Sequence, residues 1–298
     1  MTASTAEPFV SAAAAAAARR RRRIPYLLLL PGAVWLVLFY FIPLVQLVVT
    51  SLQSGSLETG YQLTWEWSNY AALFTTYRDH FIRSMAFAGA ATLLCLLIGY
   101  PMAYAIAFRA GRYKNLFLVL LLVPFLIPFL LRTLAWRIIL ADQGLVVSTL
   151  QNIGLLGPNG RLLATPWAVI AGLTYNLLPF MVLPLYVALE RMDRSLLEAS
   201  ADLYGSPFVS FWKVTWPLSL PGVISGTLLT FIPAAGDYVE VELLGNPQSA
   251  MVGNVIQNKF LNIIDYPEAA ALSVGLMAVV VLLVVLYVRA SGTEDLVA

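Results

Sequence analysis

Six apolar runs, each of about 20 residues, constrain this chain more than any other feature of its sequence. Wound as an α-helix, a run of that length spans the hydrocarbon core of a bilayer, where the backbone must satisfy its own hydrogen bonds. The runs cover about residues 24–50, 81–108, 116–140, 166–189, 219–235 and 269–288. Only 11% of the residues are charged, against roughly 25% in soluble domains, so little polar side chain is available to cover a wet surface. These runs predict an all-α integral membrane protein with six transmembrane helices and both termini on one side.

The flanking charges orient that bundle. Residues 1–23 form an Ala-rich tail ending in Arg19 to Arg23. The apolar run that follows is longer than the 7–15 residues of a signal-peptide core and is read as a retained first span. Segments assigned to the cytoplasm hold Arg19 to Arg23, Arg109, Arg112, Lys114, Arg191, Arg194, Lys213 and Arg289, which is 12 of the 18 basic residues. That bias has the sign of the positive-inside rule. It predicts a cytoplasmic basic tail (1–23), a six-span domain (24–289) and a cytoplasmic tail (290–298) in a bacterial inner membrane. Proline clusters in PFLIPF and LPFMVLP predict bent helices around a cavity.

Several chemistries lack their residues. One cysteine, Cys95, and one histidine, His80, leave no disulfide and no metal cluster to build. The three lysines follow Tyr113, Trp212 and Asn258, so no Gly-Lys-Ser/Thr phosphate loop exists in the sequence. A net charge of +2 gives no reason to expect nucleic acid. No catalytic residue, metal or cofactor is assigned, and any nucleotide chemistry belongs to another polypeptide.

The most polar internal stretch runs from Glu190 to Pro221, between the fourth and fifth runs. Ser195 with Glu198 three residues later has capping-box spacing and predicts a helix start. Tyr204-Gly205 predicts its stop, with glycine supplying a left-handed backbone. Ser206-Pro207 suits the cap and first position of a second short helix. Leu196, Ala199 and Leu203 share a face of the first helix by spacing, and Phe208, Phe211 and Trp212 one of the second. An amphipathic loop resting on lipid headgroups and a docking element for a protein partner both fit this pattern.

The same stretch resembles the EAA loop of membrane subunits of binding-protein-dependent ATP-binding-cassette importers. Glu198-Ala199-Ser200 match the head of that motif and Pro217 or Pro221 its tail. Ser200 replaces the usual second alanine, and Tyr204 takes the usual glycine position, one residue before Gly205. The resemblance implies a type I importer (MetI-like) permease fold, with residues 190–217 as the coupling loop. It implies Glu198, Ala199, Asp202, Gly205, Phe208, Phe211 and Trp212 as contacts to a cytoplasmic ABC ATPase. Two ATPase copies, a second permease subunit and an extracytoplasmic binding protein complete the implied assembly, and ATP is bound by the ATPase.

RTLAWRIIL from Arg132, YNLLPFMVLPLYVALE from Tyr175, FIPAAGDYVEVELLG from Phe231 and GNVIQNKF from Gly253 are similar to spermidine/putrescine-type permeases. The implied cargo is a polyamine. A polycation with methylene segments calls for carboxylates and aromatic faces along its path. Asp237, Tyr238, Glu240 and Glu242 cluster just after the fifth run, and ionisable groups near the membrane interior are functional candidates. The alternative is that these acids are simply solvated, with Asp237 capping a helix. Trp136 and Tyr175 are candidate aromatic wall residues or lipid-interface anchors. Arg132 and Arg137 oppose a cation path; pairing with the acids and holding the binding protein are both open to them. Thiamine, ferric iron and a phosphonate are alternative cargoes in the same class, and a channel or scaffold is the alternative outside it.

Overall fold

The computed structural model describes residues 28–203 and 205–290, leaving aside the side chain of Ala201. The basic tail, the last eight residues and Tyr204, on which parts of the reading above rest, lie outside the described residues. Five helices are long and apolar enough to cross a membrane: α1 (Leu28–Ser51), α3 (Arg78–Arg109), α7 (Pro166–Glu190), α9 (Pro207–Ala235) and α12 (Tyr266–Ala290). The sixth crossing is broken. Its two arms, Gly111–Leu126, which contains α4 (Lys114–Leu122), and α5 (Phe129–Ile139), are bent by 90°. Pro128 causes the break, because a residue preceding proline is pushed out of the helical region; Ile127 is extended, with φ −87° and ψ 132°.

Shorter elements fill the side opposite the 191–206 loop. A hairpin of β1 (Gln53–Ser56) and β2 (Gly60–Leu63) precedes α2 (Ser68–Phe74). Then come α6 (Leu145–Asn152), α10 (Val239–Leu244) and α11 (Val252–Asn258). Helix α8 (Ser195–Asp202) alone lies between α7 and α9. The fifth crossing is longer than the sequence pattern predicted. The second short helix is not separate from it: Pro207–Ser210 runs through a π-turn at Phe211–Thr215 into Trp216–Ala235. Pro217 and Pro221 therefore sit within a helix, in its first turn after the π-turn and further in, where the pattern had placed a loop.

The core is the three-helix packing of α3, α7 and α9. Lipid is as apolar as leucine, so close approach of backbones at small residues supplies the attraction instead. Ala88, Ala91, Cys95 and Ala103 of α3 are buried, and a Cβ on Gly99 would lie 3.1 Å from Val182 Cγ2. On α9, Gly222 and Gly226 are pressed against α7, where a Cβ would meet Ala188 Cβ at 2.6 Å and Met181 Sδ at 2.8 Å respectively. This Gly-x-x-x-Gly seam clamps the helix that leaves the loop to the helix that enters it.

Candidate functional site

Two regions carry the candidate residues, one at each end of α9. At the first, the loop is anchored on its inner side. Asp193 Oδ1 accepts the Ser195 N–H at 2.9 Å, and that bond holds the Asp193 carboxyl below the usual aspartate range. Ser195 is thus inside α8, and the Glu198 N–H bonds to the Arg194 carbonyl at 3.2 Å. The expected Ser195–Glu198 capping box is corrected to an aspartate cap, since a carboxylate two residues earlier is the stronger acceptor. Arg194 Nη2 donates to the Ala107 carbonyl at 3.2 Å, and Lys114 is paired with Glu190 at 2.5 Å.

The turn between α8 and α9 gives Ser200, one of the departures from the family pattern, a role. Ser200 Oγ and Ser210 Oγ are 2.7 Å apart, joining the two helices. The Gly205 N–H bonds to the Ser200 carbonyl at 2.9 Å, and a Cβ on Gly205 would lie 2.6 Å from that oxygen. Glycine is required there by close approach. Ser206 Oγ accepts the Val209 N–H at 3.3 Å with Pro207 next to it, as the sequence predicted.

The aromatic residues do not share one face. Phe211 turns inward, its ring 5.6 Å from Tyr100 and 6.4 Å from Trp216. Phe208 and Trp212 pack on each other at 6.3 Å, with Phe208 73% exposed and Trp212 half exposed. Consecutive residues diverge by about 100° around a helix, so Phe211 is half-buried and Trp212 exposed, although their rings still meet edge to face at 5.4 Å. Leu203 is 82% exposed; Glu198, Ala199 and Asp202 are also exposed. Leu203, Phe208 and Trp212 are the most exposed apolar residues of the loop, with Leu196 and Val209 exposed to a lesser degree and acids at the edge.

At the other end, α9 stops at Ala235 and Asp237 Oδ1 accepts the Glu240 N–H at 2.9 Å, capping α10. Glu240 is 0% exposed and wedged between three elements. Its Oε1 accepts from Asn176 Nδ2 of α7 and, at 3.1 Å, from Thr133 Oγ1 of α5. Gly172 of α7 makes the room, since a Cβ there would lie 2.7 Å from Glu240 Oε2. Beside Thr133, Arg132 is only 8% exposed, with its guanidinium 4.3 Å from the Phe125 ring centroid and 5.9 Å from that of Phe129. Arg132 Nε and Nη1 and Glu240 Oε2 are buried without hydrogen-bond partners.

In this outer segment, between the last two spans, burial pushes the Asp237 carboxyl up to about 6, against the N–H groups of Glu240 and Val239. Burial, and then Asp237, push Glu240 up to about 7, against Asn176, Thr133 and Arg132. Glu242 and Tyr238 are exposed. Trp136 and Tyr175 meet edge to face at 5.4 Å, so these two candidates form one aromatic surface. Tyr175 also lines a cavity of about 590 Å³ with Phe125, Pro124, Leu178 and Pro179, reaching Arg109 at the loop side. The proline clusters do bound a cavity. Among the described residues no three His, Cys, Asp or Glu side chains gather as a metal site.

Sequence reasoning overlooked the partners of Glu240. Thr133 and Asn176 are polar residues inside apolar runs, and that isolation was the available signal. It also passed over the Gly222–Gly226 spacing, which is readable in GVISG.

A helical bundle with one broken crossing, a cavity beside the break and an anchored loop presenting apolar side chains is the membrane subunit of a transport assembly. The family model for the binding-protein-dependent transport system inner membrane component matches residues 96–291, and the chain belongs to that family. It is 40% identical over 260 residues to the spermidine/putrescine transport system permease protein PotB of Haemophilus influenzae, covering 86% of this chain and 90% of that one. The PotB protein of Escherichia coli is 39% identical over 258 residues, covering 86% and 94%. A solved bacterial ABC transporter involved in import of the acidic polysaccharide alginate superposes with a TM-score of 0.67 at 19% identity, covering 93% of this chain and 97% of that one. That likeness establishes the fold, an all-α ABC-importer permease fold, and the family match places the chain in the inner membrane.

Proposed function

We propose that this chain is a permease subunit of an ABC importer that passes spermidine and putrescine inward, driven by ATP hydrolysis on two copies of a separate ATPase. The observation that carries this reading is the 40% identity to a spermidine/putrescine permease across 86% of the chain. A second permease subunit and an extracytoplasmic polyamine-binding protein complete the assembly, and both termini of this chain face the cytoplasm. Leu203, Phe208 and Trp212 seat in the ATPase, with Glu198 and Asp202 meeting basic residues at the edge. Desolvating such aromatic anchors is what makes a small docking element hold. Closure of the ATPases moves α8 and the start of α9. Because α9 is continuous and clamped to α7, that displacement reaches the acidic segment around Asp237. Asp237, Tyr238 and Glu242, with the Trp136–Tyr175 surface, meet the cargo.

The test is uptake by the complete complex, reconstituted with its ATPase, second permease and binding protein in proteoliposomes. Labelled spermidine is expected to accumulate only with ATP on the ATPase side, and unlabelled putrescine to compete. Competition by thiamine, ferric iron or a phosphonate, with none by putrescine, refutes the cargo.

A further inference from the structure

Glu240 is fully buried, so in this conformation a cargo has no access to it, whereas Arg132 stands directly behind the cavity. The Arg132 guanidinium lies 4.3 Å from the centroid of Phe125, whose side chain lines that cavity. A fixed positive charge so close to a low-dielectric path repels a polycation, and the repulsion grows with each charge on the cargo. No direct ion pair joins Arg132 to Glu240 among the described residues, yet the guanidinium acts on that carboxyl through space and favours its charged form, while Thr133, next to Arg132 on α5, donates to it. Glu240 Oε2 and Arg132 Nε and Nη1 are buried without partners, and the donors on Oε1 are the neutral Asn176 and Thr133, so both groups keep their full charge when ionised.

We propose that Glu240 is a specificity-determining residue that acts through Arg132: its carboxylate cancels the guanidinium's field behind the cavity wall and so admits cargo of higher positive charge. This rests on the polyamine reading above and deepens it, because it separates residues that meet the cargo from one that sets the field. Asn176 and Thr133 hold Oε1 on the α5 and α7 sides, and Gly172 opens the space that lets α10 bring the carboxylate in. A glutamine keeps that shape and removes the charge.

The test compares a trication with a dication in the complete complex at pH 8, with saturating binding protein. For E240Q the spermidine-to-putrescine uptake ratio is expected to fall about threefold, the size of one uncompensated charge roughly 10 Å away at an effective dielectric of about 50, between that of protein and water. The E240Q/R132Q double variant is expected to return the ratio to wild type. An equal loss for both cargoes, an unmoved ratio, or no rescue in the double variant overturns the proposal, because a purely structural role moves both cargoes together. If E240Q does not assemble, R132Q alone decides. Its ratio should rise about threefold, since the same Coulomb term is then left unopposed with the other sign, and an unmoved or lowered ratio overturns the proposal. Wild-type complex that takes up neither polyamine refutes the cargo reading itself, a result distinct from wild-type uptake with an unmoved ratio in E240Q.

Discussion

Replacing Gly222 by alanine forces two helices apart where neither can yield. The added Cβ would lie 2.6 Å from Ala188 Cβ, 2.9 Å from the Pro184 carbonyl oxygen and 3.1 Å from Leu185 Cα, all on α7. None of these atoms swings away by a rotamer change. Carbon contacts settle at about 3.5–4.0 Å, so α7 and α9 must part locally by roughly 1 Å, and a gap of that size forfeits up to about half of each dispersion contact along the seam. Overpacking of this kind costs about 1–3 kcal/mol. At about 2–4 °C per kcal/mol for chains approaching this size, the melting temperature of the detergent-solubilised complex should drop by roughly 4–8 °C for a mid-range cost. Gly89→Ala is the control, because a Cβ there meets nothing within 4 Å. The reasoning is refuted if G222A melts together with G89A.

The two faces of the aromatic cluster should separate in pull-down and melting assays. F208A is expected to lose most co-purifying ATPase with little change in melting, because Phe208 is 73% exposed, whereas Trp212 also packs on Phe211 and Trp216. F211A is expected to lower the melting temperature by several degrees at retained ATPase contact, because its ring packs on Tyr100 and Trp216. Matching behaviour of the two variants would contradict the split. A pH series addresses Glu240, which is faced by Asp237, Arg132, Thr133 and Asn176. With its carboxyl raised to about 7, the charged form predominates at pH 8 and is lost as pH falls through that value. The spermidine-to-putrescine ratio should therefore fall between pH 8 and pH 6 in the wild type and stay flat in E240Q; Asp237, raised to about 6, titrates in part of the same window. A slope that persists in E240Q assigns the effect to Asp237 instead.

The spans were legible because bilayer thickness and backbone satisfaction leave few alternatives for runs such as Pro166–Glu190. The break at Ile127 was half legible: Pro124 and Pro128 announced a bend, but not a 90° turn set by one extended residue. The loop's helix and its Ser206-Pro207 start came from local capping rules, whereas Gly205, expected as a left-handed stop, is required by close approach to the Ser200 carbonyl. Its true N-terminal cap did not, because Asp193 and Ser195 both satisfy those rules and only the backbone geometry chooses between them. The division of Phe208, Phe211 and Trp212 was hidden by the π-turn and by Tyr100, 111 positions before Phe211 in the chain. The acids after the fifth run were found together, yet which is buried depended on Gly172, Thr133 and Asn176 of other helices. Periodicity in lipid does not report such contacts, because lipid-facing and partner-facing positions are equally apolar.

The continuity of α9 relates these two ends. Its 29 residues place Phe208 and Trp212 near one terminus and Asp237 just beyond the other, a span of about 43 Å at 1.5 Å per residue. A separate coupling helix joined by a flexible turn would dissipate a push within the loop. A helix that runs through the π-turn instead carries the push along its axis. The Gly222 and Gly226 contacts then make α7 move with it, and α7 carries Asn176, which holds Glu240 from the other side. Glu240 also bonds Thr133 on α5, the arm beyond the 90° break. A displacement at Trp212 therefore arrives, through α7 and the short link from α9 to α10, where α7, α10 and the broken arm meet at one carboxylate, so the residue that balances the charge of Arg132 also joins the moving parts.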